Sequence, residues 1–157
     1  MVNKTSVISR ATLLLALLGV LLVTVPVACT TNSVESTVDW LYNYDQALSQ
    51  AQSDNKPIMM DFWADWCPPC NRLDETTYAD EEVGAFLNEN FVSLKVDVMK
   101  SNLPQTYAIG NSIPVILFVS PSKSVLPGGK LVGYRGPDTF LSEAKAIYES
   151  WKSQSTS

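Results

Sequence analysis

Trp63-Ala64-Asp65-Trp66-Cys67-Pro68-Pro69-Cys70 joins the end of an apolar run, Ile58 to Trp63, to a segment able to start a helix at its two prolines. Two cysteines three positions apart at that junction are placed for dithiol–disulfide chemistry. A cysteine at a helix N-terminus lies beside unpaired backbone N–H groups and the positive end of the helix dipole, which favours its thiolate. A second cysteine one turn later can attack back and close a disulfide. As a staple the bridge would contribute little: the chain-entropy relation gives about 2 kcal/mol for a four-residue loop, against roughly 4–5 for a loop of a hundred. Redox chemistry is the favoured reading and an inert disulfide the alternative.

Outward from this junction the elements alternate. Ile58-Met59-Met60-Asp61-Phe62-Trp63 is apolar except at one position, which suits a strand buried on both faces in the centre of a mostly parallel sheet. Upstream, Trp40, Tyr42 and Tyr44 alternate like a strand, and Asp45 to Ser53 carries a modest amphipathic helix ended by Asp54-Asn55-Lys56-Pro57. Downstream, Leu73 and Thr77 continue the helix after Cys70. Asp80-Glu81-Glu82 starts another, with Val83, Phe86 and Leu87 on one face. Phe91 to Val98 predicts a strand, Pro104 opens a short helix, and Ile113 to Val119 predicts a strand entered through Pro114. Pro121 to Gly129 is turn-rich, Lys130 to Tyr134 returns as a hairpin strand, and Pro137-Asp138 starts a last helix that frays from Lys152. The order implies an α/β fold: a mixed central sheet flanked by helices on both faces.

Composition removes several functions. The net charge is −5 with no basic stripe, which argues against nucleic acid. Histidine is absent, so His-based triads, metal sites and general bases are excluded together. Two cysteines without histidine leave a zinc shell half empty, so no metal is expected. Haem attachment fails because Asn71 follows Cys70 where histidine is required.

The N-terminus reads as an appendage. Lys4 and Arg10 precede an uncharged apolar run, Ala11 to Val25, followed by Pro26-Val27-Ala28-Cys29. A charged region, a short apolar region and small residues read as a secretory signal over residues 1–28. An uncleaved anchor is the alternative, since the stretch to Ala28 carries no charge. The segment resembles a bacterial lipoprotein signal, in which the cysteine after the cut is lipidated; Pro26 departs from the aliphatic residue usual at that place. Lipidation of Cys29 accounts for the odd third cysteine, against a plain exported protein with a spare thiol. Residues 29–38, rich in Ser and Thr, read as a tether, 39–152 as the domain and 153–157 as a flexible tail. Export suits a redox disulfide.

Taken together, Lys56-Pro57, Asp61 to Cys70, Val96-Asp97-Val98 and Ile113-Pro114 resemble the thioredoxin superfamily. Within it they are similar to the thioredoxin-like C-terminal domain of the transmembrane thiol:disulfide interchange proteins DsbD. The resemblance implies a thioredoxin-like fold, with Cys67 as exposed nucleophile and Cys70 as buried resolving thiol. It implies Asp61 as the buried acid beneath the disulfide, for which a capped strand-end carboxylate is the alternative. A carboxyl inside an apolar strand has a raised pKa and can take a proton from Cys70. Pro69 matches the proline before the second cysteine, and Pro114 the cis-proline beside which a substrate strand docks, with Ile113 preceding it. Trp66 matches a tryptophan over the disulfide, or is plain hydrophobic cover; Phe62 and Trp63 read as core. Val115 stands where the family often has Thr, and no lysine is securely matched to the buried acid, although Lys95 lies nearby. Pro68 replaces the glycine of cytoplasmic thioredoxins, removing a backbone donor near the Cys67 sulfur.

The expected function is a membrane-tethered, extracytoplasmic thiol–disulfide oxidoreductase that reduces protein disulfides through Cys67 and Cys70. The expected partners are protein thiols and disulfides and a membrane electron donor, with the membrane held through Cys29. No cofactor beyond the disulfide and a monomeric state are expected, and service to cytochrome c maturation is a narrower expectation. The rivals are a disulfide oxidase or isomerase, and a non-catalytic module that binds peptides in the proline groove.

Overall fold

A computed structural model of the chain describes residues 35–155. The signal-like segment, Cys29 and the start of the tether lie outside the described residues. Five strands, β1 (Trp40–Leu41), β2 (Ile58–Trp63), β3 (Val92–Asp97), β4 (Val115–Val119) and β5 (Val125–Val132), form one mixed sheet in the order β1-β3-β2-β4-β5. β1, β3 and β2 run parallel, whereas β4 and β5 are antiparallel to their neighbours. The central position of β2 explains its near-continuous apolar sequence, because helices cover both of its faces.

Alternation along the strands divides the core. Ile58, Met60 and Phe62 join Leu94, Val96 and Leu117 beneath α1 (Tyr44–Asp54) and α4 (Leu103–Thr106). Met59, Ile116 and Phe118 face the other way, against Leu73, Val83, Leu87, Phe140 and Ala144 of α2 (Pro68–Arg72) with its continuation, α3 (Glu81–Asn90) and α5 (Pro137–Ser155). Local chemistry starts these helices. Asn43 accepts from the Gln46 N–H at 2.9 Å ahead of α1, and Asp80 accepts from the Glu82 and Val83 N–H groups, both at 3.0 Å, ahead of α3. Asn55 closes α1 in the left-handed conformation, φ 49°.

Several sequence expectations change. The strand read over Trp40, Tyr42 and Tyr44 reaches only Leu41, and Tyr44 already begins α1. The turn-rich stretch is shorter than Pro121 to Gly129, because β5 already begins at Val125 and pairs with Val119. α5 continues to Ser155, past the fraying expected from Lys152 and into the 153–157 segment read as flexible. The helix after Cys70 does not stay α-helical: Leu73–Thr77 forms a π-turn, with the Tyr78 N–H donating to Leu73 O at 2.9 Å. The end of the 29–38 tether is docked rather than free. Thr37 N–H donates to Tyr78 O at 2.8 Å, Thr37 Oγ1 donates to Asp80 O at 2.9 Å, and Val38 is buried in the core. Gly84 permits this approach, since a Cβ there would stand 2.0 Å from Thr37 Oγ1.

Candidate active site

The apolar strand β2 delivers the chain to Ala64, and the Cys67 N–H donates back to Ala64 O at 3.1 Å, closing a turn before α2. Cys67 takes the extended N-cap conformation, with Pro68 and Pro69 at the first two helical positions. Proline is at home there, because those N–H groups have no helical acceptor. Cys67 and Cys70 are joined as a disulfide, with Cα atoms 5.3 Å apart. Cys70 is fully buried, as expected. Cys67 is not the exposed residue expected: it is 2% exposed, because its sulfur is turned inward to Cys70 while Trp66, Pro68 and Pro69 occupy the surface around it.

The Pro68–Pro69 pair has a direct electrostatic consequence. Neither residue has an N–H, so the first backbone donors of α2 belong to Cys70 and Asn71, and both donate to Cys67 O, at 3.0 and 3.1 Å. A thiolate at Cys67 keeps the helix dipole but loses two of the donors that ordinarily surround such a position.

Ile113–Pro114 is a cis peptide, as the resemblance implied. Val115 pairs with Phe62, so Pro114 stands at the end of the sheet from which the cysteine loop leaves β2. Pro114 is buried and Ile113 half-buried. Trp66 is 66% exposed. With Val98, Ile109 and Ile113 it lines a cavity of about 180 Å³ beside the proline loop. Phe62 is core, whereas Trp63 is half-buried and takes part in the charged site below.

Asp61 is fully buried on the sheet face covered by α2. It pairs in register with Lys95 of β3, whose Nζ is 2.8 Å from Asp61 Oδ2. The ammonium comes in off the hydrogen-bonding direction, so neither Asp61 oxygen has a well-directed donor among the described residues. Lys95 also donates to Asp74 Oδ1 at 2.5 Å, and Asp74, on the π-turn, reaches the surface. Around Lys95 stand the rings of Trp40, Tyr78 and Trp63, at 4.9, 5.1 and 5.4 Å from Nζ to the centroids. Burial pushes the Asp61 carboxyl above its usual 3.8; the Lys95 charge and contact pull it back without cancelling the rise, and Asp74 adds to it. Burial alone would lower Lys95, but Asp61 and then Asp74 hold it above its usual range, so the ammonium stays charged. Burial, followed by the same two carboxylates, pushes the Tyr78 hydroxyl far up, so it stays neutral. The set can hold or release a proton at Asp61 while a chain of charge, Asp61–Lys95–Asp74, leads to solvent.

Lys95, set aside in the sequence as merely near the acid, is its direct partner. Asp74 and Tyr78 were missed. The available signal was a lysine set between Leu94 and Val96 within a strand, which calls for a buried carboxylate; strand register, invisible in sequence, was needed to choose Asp61. Among the described residues no group of three or more His, Cys, Asp or Glu side chains is gathered for a metal ion. No helix among them is long and apolar enough to cross a membrane.

A sequence profile described as thioredoxin-like matches residues 39–121, more than half of the chain. The chain belongs to the thioredoxin-like family. This thioredoxin-like chain is 34% identical over 107 residues to the thiol:disulfide interchange protein DsbD of Campylobacter jejuni, a match covering 66% of the chain and 18% of that protein. It thus spans less than a fifth of the length of that relative. Among solved structures, a thioredoxin from Thermus thermophilus superposes with a TM-score of 0.62 at 27% identity, over 71% of this chain and 87% of the other. The oxidised C-terminal domain of DsbD from Neisseria meningitidis superposes with a TM-score of 0.56 at 22% identity, over 69% and 99%. That last likeness concerns the fold alone. The thioredoxin-like fold and the dithiol pair of thiol–disulfide oxidoreductases are therefore both present.

Proposed function

We propose that the protein is an extracytoplasmic protein-disulfide reductase, tethered to the membrane through a lipid on Cys29. Cys67 as thiolate attacks one sulfur of a partner disulfide; the partner's other sulfur leaves as a thiolate and takes up a proton. Asp61 accepts the proton of Cys70, whose sulfur then attacks Sγ of Cys67 and expels the partner's second thiol. Two electrons pass from the Cys67/Cys70 dithiol to the partner, and a membrane dithiol donor restores them. No further cofactor enters. Pro114 and Ile113 align the partner strand, with Trp66, Pro68 and Pro69 beside it. Haem-site cysteines of exported cytochromes are one substrate class that needs such a reductant.

The observation that carries the direction is the pair of prolines at the first two positions of α2. Withholding two donors from the Cys67 thiolate destabilises the dithiol form relative to the disulfide, which makes the protein a stronger reductant. The test is insulin reduction together with trapping. Cys67→Ala abolishes turnover, and Cys70→Ala accumulates a mixed disulfide with the partner. Full turnover by Cys67→Ala, or full biological function in a double Cys→Ser variant, would sink the reading.

A further inference from the structure

Two unlike walls flank the cis-proline. Trp66, Val98, Ile109 and Ile113 form an apolar one. The other is the segment after β5, which meets both Pro114 and α2. Gly133 N–H donates to Pro114 O at 2.9 Å, which sets Tyr134 next to the proline loop. Arg135 clamps this segment, donating to Val132 O and, at 3.2 Å, to Gly133 O, while it pairs with Glu143 at 3.0 Å. Thr77 Oγ1 donates to Arg135 O at 2.6 Å and ties the segment to the π-turn.

Arg72 lies against this wall. It is one turn beyond Pro68, on the same helix face, since residues four apart align. Its guanidinium carbon is 4.2 Å from the centroid of the Tyr134 ring, and Tyr134 Oη is 3.1 Å from Thr76 Oγ1. Lys95, Lys100, Arg135 and Lys145 each pair with a carboxylate, but Arg72, exposed to solvent, pairs with none among the described residues. The ring holds the guanidinium in place, and with no carboxylate partner among the described residues its planar fork of N–H groups is suited to taking one bidentately. Near Pro68 on its own helix and near Pro114 through Tyr134, that fork borders the place where a partner cysteine must come.

The geometry points to Arg72, held by Tyr134, as a specificity-determining residue that takes an aspartate or glutamate carboxylate close in sequence to the partner's reacting cysteine. The inference rests on the disulfide-reductase reading. It assigns the partner a chemistry: an acidic residue on the Arg72 side and an apolar one on the Trp66 side.

The test uses the full-length chain in its reduced form and two peptides, identical except for Asp or Asn beside a single cysteine. Each cysteine is carried as a mixed disulfide with pyridine-2-thiol, whose release is read by absorbance. Rates are divided by those for dithiothreitol, which removes the intrinsic effect of the carboxylate. The normalised acidic-to-neutral ratio is expected near fivefold, the scale of one exposed ion pair. It should fall towards one in 0.5 M salt and in Arg72→Gln, and lie between in Arg72→Lys, which keeps the charge but not the fork. A ratio of one in the unaltered protein, or one unchanged by Arg72→Gln, overturns the inference while leaving the reductase reading intact. Failure to react with either peptide overturns the reductase reading itself, and the inference with it.

Discussion

Asp61 and Lys95 face each other across β2 and β3, 2.8 Å apart and both buried, at the level where the chain leaves the sheet for the cysteine loop. The pair is not a closed ion pair. Lys95 is shared with Asp74, and the raised Asp61 pKa means that the carboxyl takes a proton more readily than a solvated aspartate does.

That rise has a defined sign in stability. The unfolded chain titrates Asp61 near 3.9, and the folded chain above it, so between the two values the folded state holds more protons. Stability contributed by the neutral carboxyl is complete below the unfolded value and is lost as pH rises through the folded one. Asp61→Asn should flatten this part of the profile and stabilise the oxidised protein at neutral pH, by about 1.4 kcal/mol for every tenfold by which folding had raised the proton affinity of the carboxyl. Urea unfolding between pH 4 and 8 measures it. The same variant should slow disulfide reduction, because Cys70 loses its proton acceptor; unchanged kinetics would remove Asp61 from the mechanism.

Removing the cation alone should be far worse. Lys95→Met leaves Asp61 buried without its partner and should cost about 3 kcal/mol at neutral pH, as broken buried pairs do. Adding Asp61→Asn should recover more than half of that loss. A double-mutant cycle by chemical denaturation gives the coupling, and additive losses would show that the two residues act independently.

Pro68→Ala restores a backbone N–H at the first position of α2, next to Cys67. A hydrogen bond to a charged group contributes about 1.5–3 kcal/mol, which corresponds to roughly 30–60 mV for a two-electron couple. The reduction potential should rise by that amount and the Cys67 thiol pKa should fall. Equilibration with glutathione measures the first, and thiolate absorbance against pH the second. A potential that stays the same would detach Pro68 from the redox direction.

Gly84 is where the N-terminal segment meets α3. Alanine there gains about 1 kcal/mol of helix propensity, but its Cβ would stand 2.0 Å from Thr37 Oγ1 and 2.8 Å from Thr37 O. Overpacking of this kind costs roughly 1–3 kcal/mol. Gly84→Ala should be net destabilising and should expose the Thr37 and Val38 amides to hydrogen exchange, with the redox site unaffected.

Much of this molecule was legible in the chain. The three-position spacing of Cys67 and Cys70, the prolines between them and the apolar run before them are local features, and local features dictate local structure. They were enough for the redox pair, the helix start, the alternation of strands and helices, and Asp61 as an isolated acid in an apolar strand. The start of α3 at Asp80 followed in the same way, whereas the Asn43 cap of α1 did not, since that helix was expected only from Asp45.

What only tertiary structure decided involves residues distant in sequence. Asp61 and Lys95 meet because parallel register aligns β2 with β3, and register depends on which strands become neighbours, not on either strand alone. Asp74 reaches Lys95 from a π-turn, and Tyr78 and Trp40 close over the ammonium, once α2 and the N-terminal segment pack on the same sheet face. The burial of Cys67 and the stacking of Arg72 on Tyr134 arise likewise from surfaces brought together by the fold. The sequence determined which groups carry the chemistry; the packing of the sheet determined which charges they face, because burial and Coulomb interactions depend on distances the chain reaches only when folded.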